Sequence, residues 1–135
     1  MSHRRASDLS AAERAEILRH SEVGRCLPEE TLALLAEGSE AVDYRRRRFI
    51  YRTGDTADAL YCIARGRVKI CLIDPVTARE AVIDIVGAGA LFGESSLYSA
   101  GVREKCAVAY EQARLLKVPA GTRFTGLDES KLAPE

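Results

Sequence analysis

The sequence predicts a mainly β domain, a sandwich or barrel preceded by two short helices. Beyond Val42, seven short runs rich in Ile, Val, Leu, Tyr and Cys follow one another within about 75 residues. Glycines punctuate those runs at Gly54, Gly66, Gly87 and Gly89. Two helix-start signatures lie upstream of them, one at Ser10 and one at Pro28.

Ser10-Ala-Ala-Glu13 has the form of a capping box, in which hydroxyl and carboxylate each satisfy an amide of the first turn. Ala11, Ala15 and Leu18 then share one face, so the spacing predicts a helix over 10–20. Leu27-Pro28-Glu29-Glu30 places a proline and two carboxylates where a helix dipole favours them. Leu32 and Leu35 follow at core spacing and Gly38 supplies a stop, which predicts a second helix over 28–37. The strand runs are RRFIYR, ALYCIA, RVKICLI, EAVIDIV, ALF, CAVAYE and RLLKV. In RVKICLI, Val68, Ile70 and Leu72 alternate with Lys69, Cys71 and Ile73, the period of a half-buried strand. From Gly121 onward the chain is polar and begins, at most, a short helix.

The chain has 135 residues, enough for one core, with 47% hydrophobic and 30% charged side chains. Twenty basic and twenty acidic groups cancel, so the whole chain exerts no net pull on nucleic acid. The apolar runs are too short to span a membrane and the N-terminus too polar for a signal peptide, so the expected location is cytoplasmic. Cys26, Cys62, Cys71 and Cys106 form no C-x-x-C pair, and Cys62 and Cys71 read as buried reduced thiols. The only histidines, His3 and His20, lie outside the predicted strand runs. A metal site projecting from barrel strands therefore lacks ligands, and Ser95 and Ser96 lack a histidine base. The expectation is a non-enzyme without cofactor or metal.

The stretch Phe92-Gly-Glu-Ser-Ser-Leu-Tyr98 joins a small-residue turn to a carboxylate, and Arg103 follows about ten residues after Gly93. Exposed main-chain amides at such a turn attract an anion, and an arginine can clamp it with charge-assisted bonds. Glu94 fits beside them if it accepts bonds from a hydroxyl, so a phosphate attached to a sugar would engage both. The plainer reading is a glycine turn, a solvated Glu94 and a surface Arg103. Elsewhere, Arg45-Arg46-Arg47-Arg48 with Arg52 reads as a solvated strand edge, with phosphate or lipid contact as its alternative. Tyr61 and Tyr98 read as core, and Asp55 and Asp58 as turn residues.

R-T-G-D at Arg52–Asp55, A-D-A-L-Y at Ala57–Tyr61, R-G-R-V at Arg65–Val68, R-E-A-V at Arg79–Val82 and F-G-E at Phe92–Glu94 form an ordered series. It resembles the cyclic nucleotide-binding domain, and within that superfamily the sensor domain of the Crp/Fnr transcription regulators. The likeness runs from Leu27 to Phe124. It implies a double-stranded β-helix, or jelly roll, with short N-terminal helices and the start of a C-terminal helix. The expected division is a helical segment over 1–26, the jelly roll over 27–124 and a tail over 125–135.

Carried over from the family, Gly93 and Glu94 match the glycine and ribose-binding glutamate of the phosphate cassette. Ser95 and Ser96 occupy its amide-donating turn, and Arg103 matches the phosphate arginine. Ile70, Ile83 and Val86 match strand positions facing the ligand. The implied partner is a small anionic effector such as cyclic AMP. After Arg103, however, Glu104-Lys105 stands where cyclic-AMP binders have a small hydroxyl and then alanine. A carboxylate 4 Å from the phosphate would cost on the order of 4 kcal/mol at an effective dielectric of about 20. The loop between Gly93 and Arg103 is also one residue short of the best-known cyclic-AMP receptor. The cysteine cluster of Fnr-type sensors is missing, and His20 is badly placed for haem. In the family a dimerisation helix and a DNA-reading helix-turn-helix follow the jelly roll. About 11 residues follow Phe124 here, so DNA recognition is expected only through a part not in this chain. A homodimer remains among the expected assemblies. The competing expectation is a jelly-roll interaction or dimerisation module with a degenerate pocket, marked by Glu104.

Overall fold

In the computed structural model the described residues are 3–5, 9–94 and 101–119. Helix α1 spans Ala11–Arg19, a 3-10 turn spans Gly24–Cys26 and α2 spans Glu29–Gly38. The strands are β1 His3–Arg5, β2 Glu40–Tyr44, β3 Phe49–Tyr51, β4 Ala59–Arg65, β5 Val68–Ile73, β6 Glu80–Val86, β7 Leu91–Phe92, β8 Cys106–Ala109 and β9 Ala113–Pro119. They form two antiparallel sheets, ordered β1-β2-β9-β4-β7 and β3-β8-β5-β6. This is the jelly-roll architecture expected above. The expected C-terminal helix lies outside the described residues.

The capping box forms as predicted: Ser10 Oγ accepts from Glu13 N–H at 3.1 Å and Glu13 Oε1 accepts from Ser10 N–H at 2.9 Å. Both helices pack on the outer face of the first sheet, where Leu18, Leu32, Leu35 and Ala36 meet Leu60, Cys62, Leu116 and Val118. The other face of that sheet meets the second sheet through Tyr44, Tyr61, Ile63, Val68, Phe92 and Leu115. Burial on both faces explains why ALYCI in β4 is apolar without alternation. Each fully buried Leu or Ile in these layers contributes roughly 1.5–3 kcal/mol relative to exposure. Across β2 and β9, Arg114 donates from Nε and Nη2 to the two carboxylate oxygens of Asp43 at 2.8 and 3.1 Å.

All seven predicted runs are strands, and two further strands join them. β2 pairs with β9, and β1 pairs with β2, opposing His3 to Tyr44. His3 therefore stands on a strand, although among the described residues no group of three or more His, Cys, Asp or Glu could hold a metal ion. One expectation is corrected within β5. Val68 and Ile70 face the inter-sheet core, but Leu72 is 44% exposed. Cys71 instead is buried on the opposite face with Cys106 and Val108, so both faces of this strand carry apolar contacts. Cys62, Cys71 and Cys106 are buried free thiols, and burial pushes Cys62 up to about 12 and Cys71 to about 11. Among the described residues no helix is long and apolar enough to cross a membrane.

Candidate ligand-binding site

The R-T-G-D turn sets the geometry. Asp55 Oδ2 accepts from Arg52 N–H at 2.9 Å, and Gly54 sits at φ +94°, where a side chain would be strained. The turn then grips the segment before β8. Arg103 N–H donates to Asp55 O at 2.7 Å, Gly54 N–H to Arg103 O at 2.8 Å, and Ala57 N–H to Gly101 O at 2.8 Å. Asp55 is thus a turn residue, as expected, and the turn it closes positions the main chain of Arg103.

From there the Arg103 side chain runs inward and is only 3% exposed. Nη1 donates to Gly93 O at 3.2 Å and Nη2 to Ala59 O at 2.5 Å. The guanidinium lies over the Tyr51 ring, 4.1 Å from its centroid, a cation–π contact. Its Nε, also buried, has no hydrogen-bond partner among the described residues. A buried unmet donor costs about 1–3 kcal/mol, and here the donor belongs to a cation, so an anion is what would satisfy it. Gly93 is required by this packing. At φ +81°, a Cβ there would stand 2.9 Å from Arg103 Nη1 and 3.2 Å from Ala59 O.

Arg103 lines a cavity of about 680 Å³ whose walls combine polar loop residues with one face of the second sheet. Gly93, Glu94, Glu104 and Lys105 border it on the loop side, and Ile70, Ile83 and Val86 on the sheet side. Six of the eight residues singled out in the sequence therefore share one cavity. The other two, Ser95 and Ser96, lie outside the described residues, as does Tyr98. Ile83 reaches the cavity through a bulge. Ile70 pairs with Asp84 and Cys71 with Val82, which leaves Ile83 unpaired between them. Consecutive residues Ile83 and Asp84 can then both line the same space.

Tyr51 is the site residue that sequence reasoning missed. It sits inside RRFIYR with nothing local to mark it, and the pairing of β3 with β8, together with the clamped turn that follows β3, brings it to Arg103. Burial raises its phenol above the ordinary 10.0, Arg103 opposes the rise and Glu94 adds to it. Tyr61 is core, as expected, stacked on Phe92 at 5.2 Å between centroids. Glu104 is exposed at the rim, so solvent screens its repulsion of an anion below the value that a 4 Å contact would give.

The sequence matches the family pattern described as the cyclic nucleotide-binding domain over residues 41–127. It is 29% identical over 103 residues to a CRP-like cAMP-activated global transcriptional regulator of Mycobacterium tuberculosis, covering 76% of this chain and 46% of that protein. It is 29% identical over 92 residues to a Drosophila melanogaster cGMP-dependent protein kinase, covering 68% of this chain and 10% of the kinase. The chain thus spans about half of the regulator and a tenth of the kinase. Among solved structures, the N-terminal domain of a transcriptional regulator from Streptomyces coelicolor superposes with a TM-score of 0.71 at 27% identity, covering 86% of this chain and 82% of that one. A match over most of the chain, on a jelly roll that carries Gly93, Glu94 and Arg103 at one cavity, places this protein in the cyclic nucleotide-binding domain family.

Proposed function

We propose that the domain senses a cyclic nucleotide in the cavity of Arg103 and passes that occupancy to an attached output, transcription control of Crp/Fnr type. The observation that carries this reading is the buried Arg103 guanidinium with an unmet Nε donor beside Gly93. In this reading the cyclic phosphate is held by Arg103 and by the amides of the turn from Gly93 to Ser96. Glu94 accepts from the ribose hydroxyl, and Ile70, Ile83 and Val86 cover the apolar faces of the nucleotide. Phosphate capture would compete with Gly93 O and Ala59 O for the guanidinium. Two arrangements of the loop then differ in affinity, and the ligand shifts their populations. The relatives include a cAMP-activated regulator and a cGMP-dependent kinase, so both nucleotides belong in the test.

Calorimetric titration of cyclic AMP and cyclic GMP into the wild type and Arg103→Ala checks the proposal. The expected result is saturable heat with at least one nucleotide in the wild type, weakened at least a hundredfold in the variant. Equal heats, or none from either protein, would leave the family assignment without this function.

A further inference from the structure

The four-arginine run is the sequence feature that cyclic-nucleotide binding leaves unused. Arg45–Arg48 form the turn between β2 and β3, closed by Arg48 N–H donating to Arg45 O at 3.0 Å. The turn is clamped to the end of β8: Arg47 N–H donates to Ala109 O at 2.8 Å, and Ala109 N–H donates to Arg48 O at 2.9 Å. Arg47 sits at φ +73°, the left-handed region where glycine is the usual turn residue. An arginine in that conformation is held by its surroundings against a local cost.

Arg47 and Arg48 line a second cavity of about 450 Å³, together with Arg52 and Lys117. These four cations come from three separate segments and meet one lining carboxylate, Asp55, which already accepts from Arg52 N–H. Among the described residues no ion pair engages Arg47, Arg48, Arg52 or Lys117. Glu40 stands opposite Lys117 in the β2–β9 ladder, and Asp58 influences the phenols of Tyr44 and Tyr61. The four lining cations, Arg47, Arg48, Arg52 and Lys117, still outnumber the three carboxylates Asp55, Glu40 and Asp58. The buried Tyr44 and Tyr61 also line the cavity, and burial pushes the Tyr44 phenol up to about 12, so it stays a neutral hydroxyl. Planar guanidinium forks suit phosphoryl oxygens, and cations dispersed along a cavity suit a chain of them better than a single phosphate.

From this geometry we infer that the second cavity binds a polyphosphate chain, either inorganic or the tail of a nucleoside polyphosphate. Arg47 and Arg48 do not line the first cavity, so the inference stands apart from the cyclic-nucleotide reading. The test is calorimetric titration of sodium tripolyphosphate and, separately, ATP without magnesium. The proteins are the wild type, the doubly substituted Arg47→Ala/Arg48→Ala, and Arg47→Gly. Wild type is expected to bind tripolyphosphate, more weakly as salt rises. The double substitution is expected to cut that affinity at least tenfold. Arg47→Gly separates ligand binding from a merely structural turn: it is expected to raise Tm by about 2–5 °C as the turn relaxes, while weakening tripolyphosphate binding severalfold. Tighter ATP than tripolyphosphate binding identifies a nucleoside source, and the reverse an inorganic one. No heat from the wild type, ATP binding without tripolyphosphate binding, or unchanged affinity in both variants would overturn the inference.

Discussion

Arg103 and Arg47 carry the same side chain into opposite surroundings. Arg103 is buried, gives two donors to main-chain carbonyls and stacks on Tyr51. Arg47 is exposed, and its main chain is clamped while no ion pair among the described residues engages its charge. The first is one element of a packed cluster, and removing it takes a donor from the buried Ala59 carbonyl and from the part-buried Gly93 carbonyl. The second lends charge to an open cavity at little cost to the core. A guanidinium is therefore costly or cheap to replace according to which main-chain groups depend on it.

The largest test of that contrast makes one substitution in two places. Arg103→Met keeps bulk but removes the donors to Ala59 O and Gly93 O, and is expected to lower unfolding free energy by about 2–4 kcal/mol, read by urea denaturation. Arg46→Met, in the exposed turn, is expected to change it by no more than about 0.5 kcal/mol. Similar losses at both positions would break the comparison. Gly93→Ala comes next. Forcing a Cβ onto φ +81° beside Arg103 Nη1 should cost about 1–3 kcal/mol and move the guanidinium, so cyclic-nucleotide affinity should fall with the urea midpoint. A stability loss with intact affinity would show that Arg103 needs no close approach to Gly93. The smallest effect is expected at the rim. Glu104→Ser should leave stability unchanged and tighten cyclic-nucleotide binding about three- to tenfold, since only a solvent-screened repulsion is removed. A gain of a thousandfold would show that Glu104 disables the site rather than trims it.

The strands were legible wherever apolar residues ran together between glycines, and β3 to β9 all fall on such runs. β2 escaped notice because Ala41 and Val42 are neighbours and both buried, one on each face of a sheet covered on both sides. No alternation survives under those conditions. β1 contains no apolar residue, and its ladder to β2 leaves no pattern in the sequence. Leu72 misled for a related reason: in β5 the outer face is buried too, through Cys71, so strand period did not reveal which residues are covered.

For the candidate site, the residue types and their order were visible in FGE and in the arginine ten positions beyond Gly93, because these residues are close in sequence. The partners of Arg103 were not. Ala59 and Tyr51 lie 44 and 52 positions away, and no short-range pattern records a contact made by sheet pairing. The four-arginine run was visible as charge but not as a cavity. Its convergence with Arg52 and Lys117 depends on a turn clamped to β8 and on the β9 ladder.

Composition and local pattern were enough to predict a mainly β architecture, the Ser10 capping box and the glycine turns, since each depends on residues within a few positions of one another. Which faces are buried, what holds the guanidinium of Arg103, and where Arg47, Arg48, Arg52 and Lys117 meet came from long-range strand pairing. Those features depend on segments far apart in the chain, whose register is set by the whole core at once.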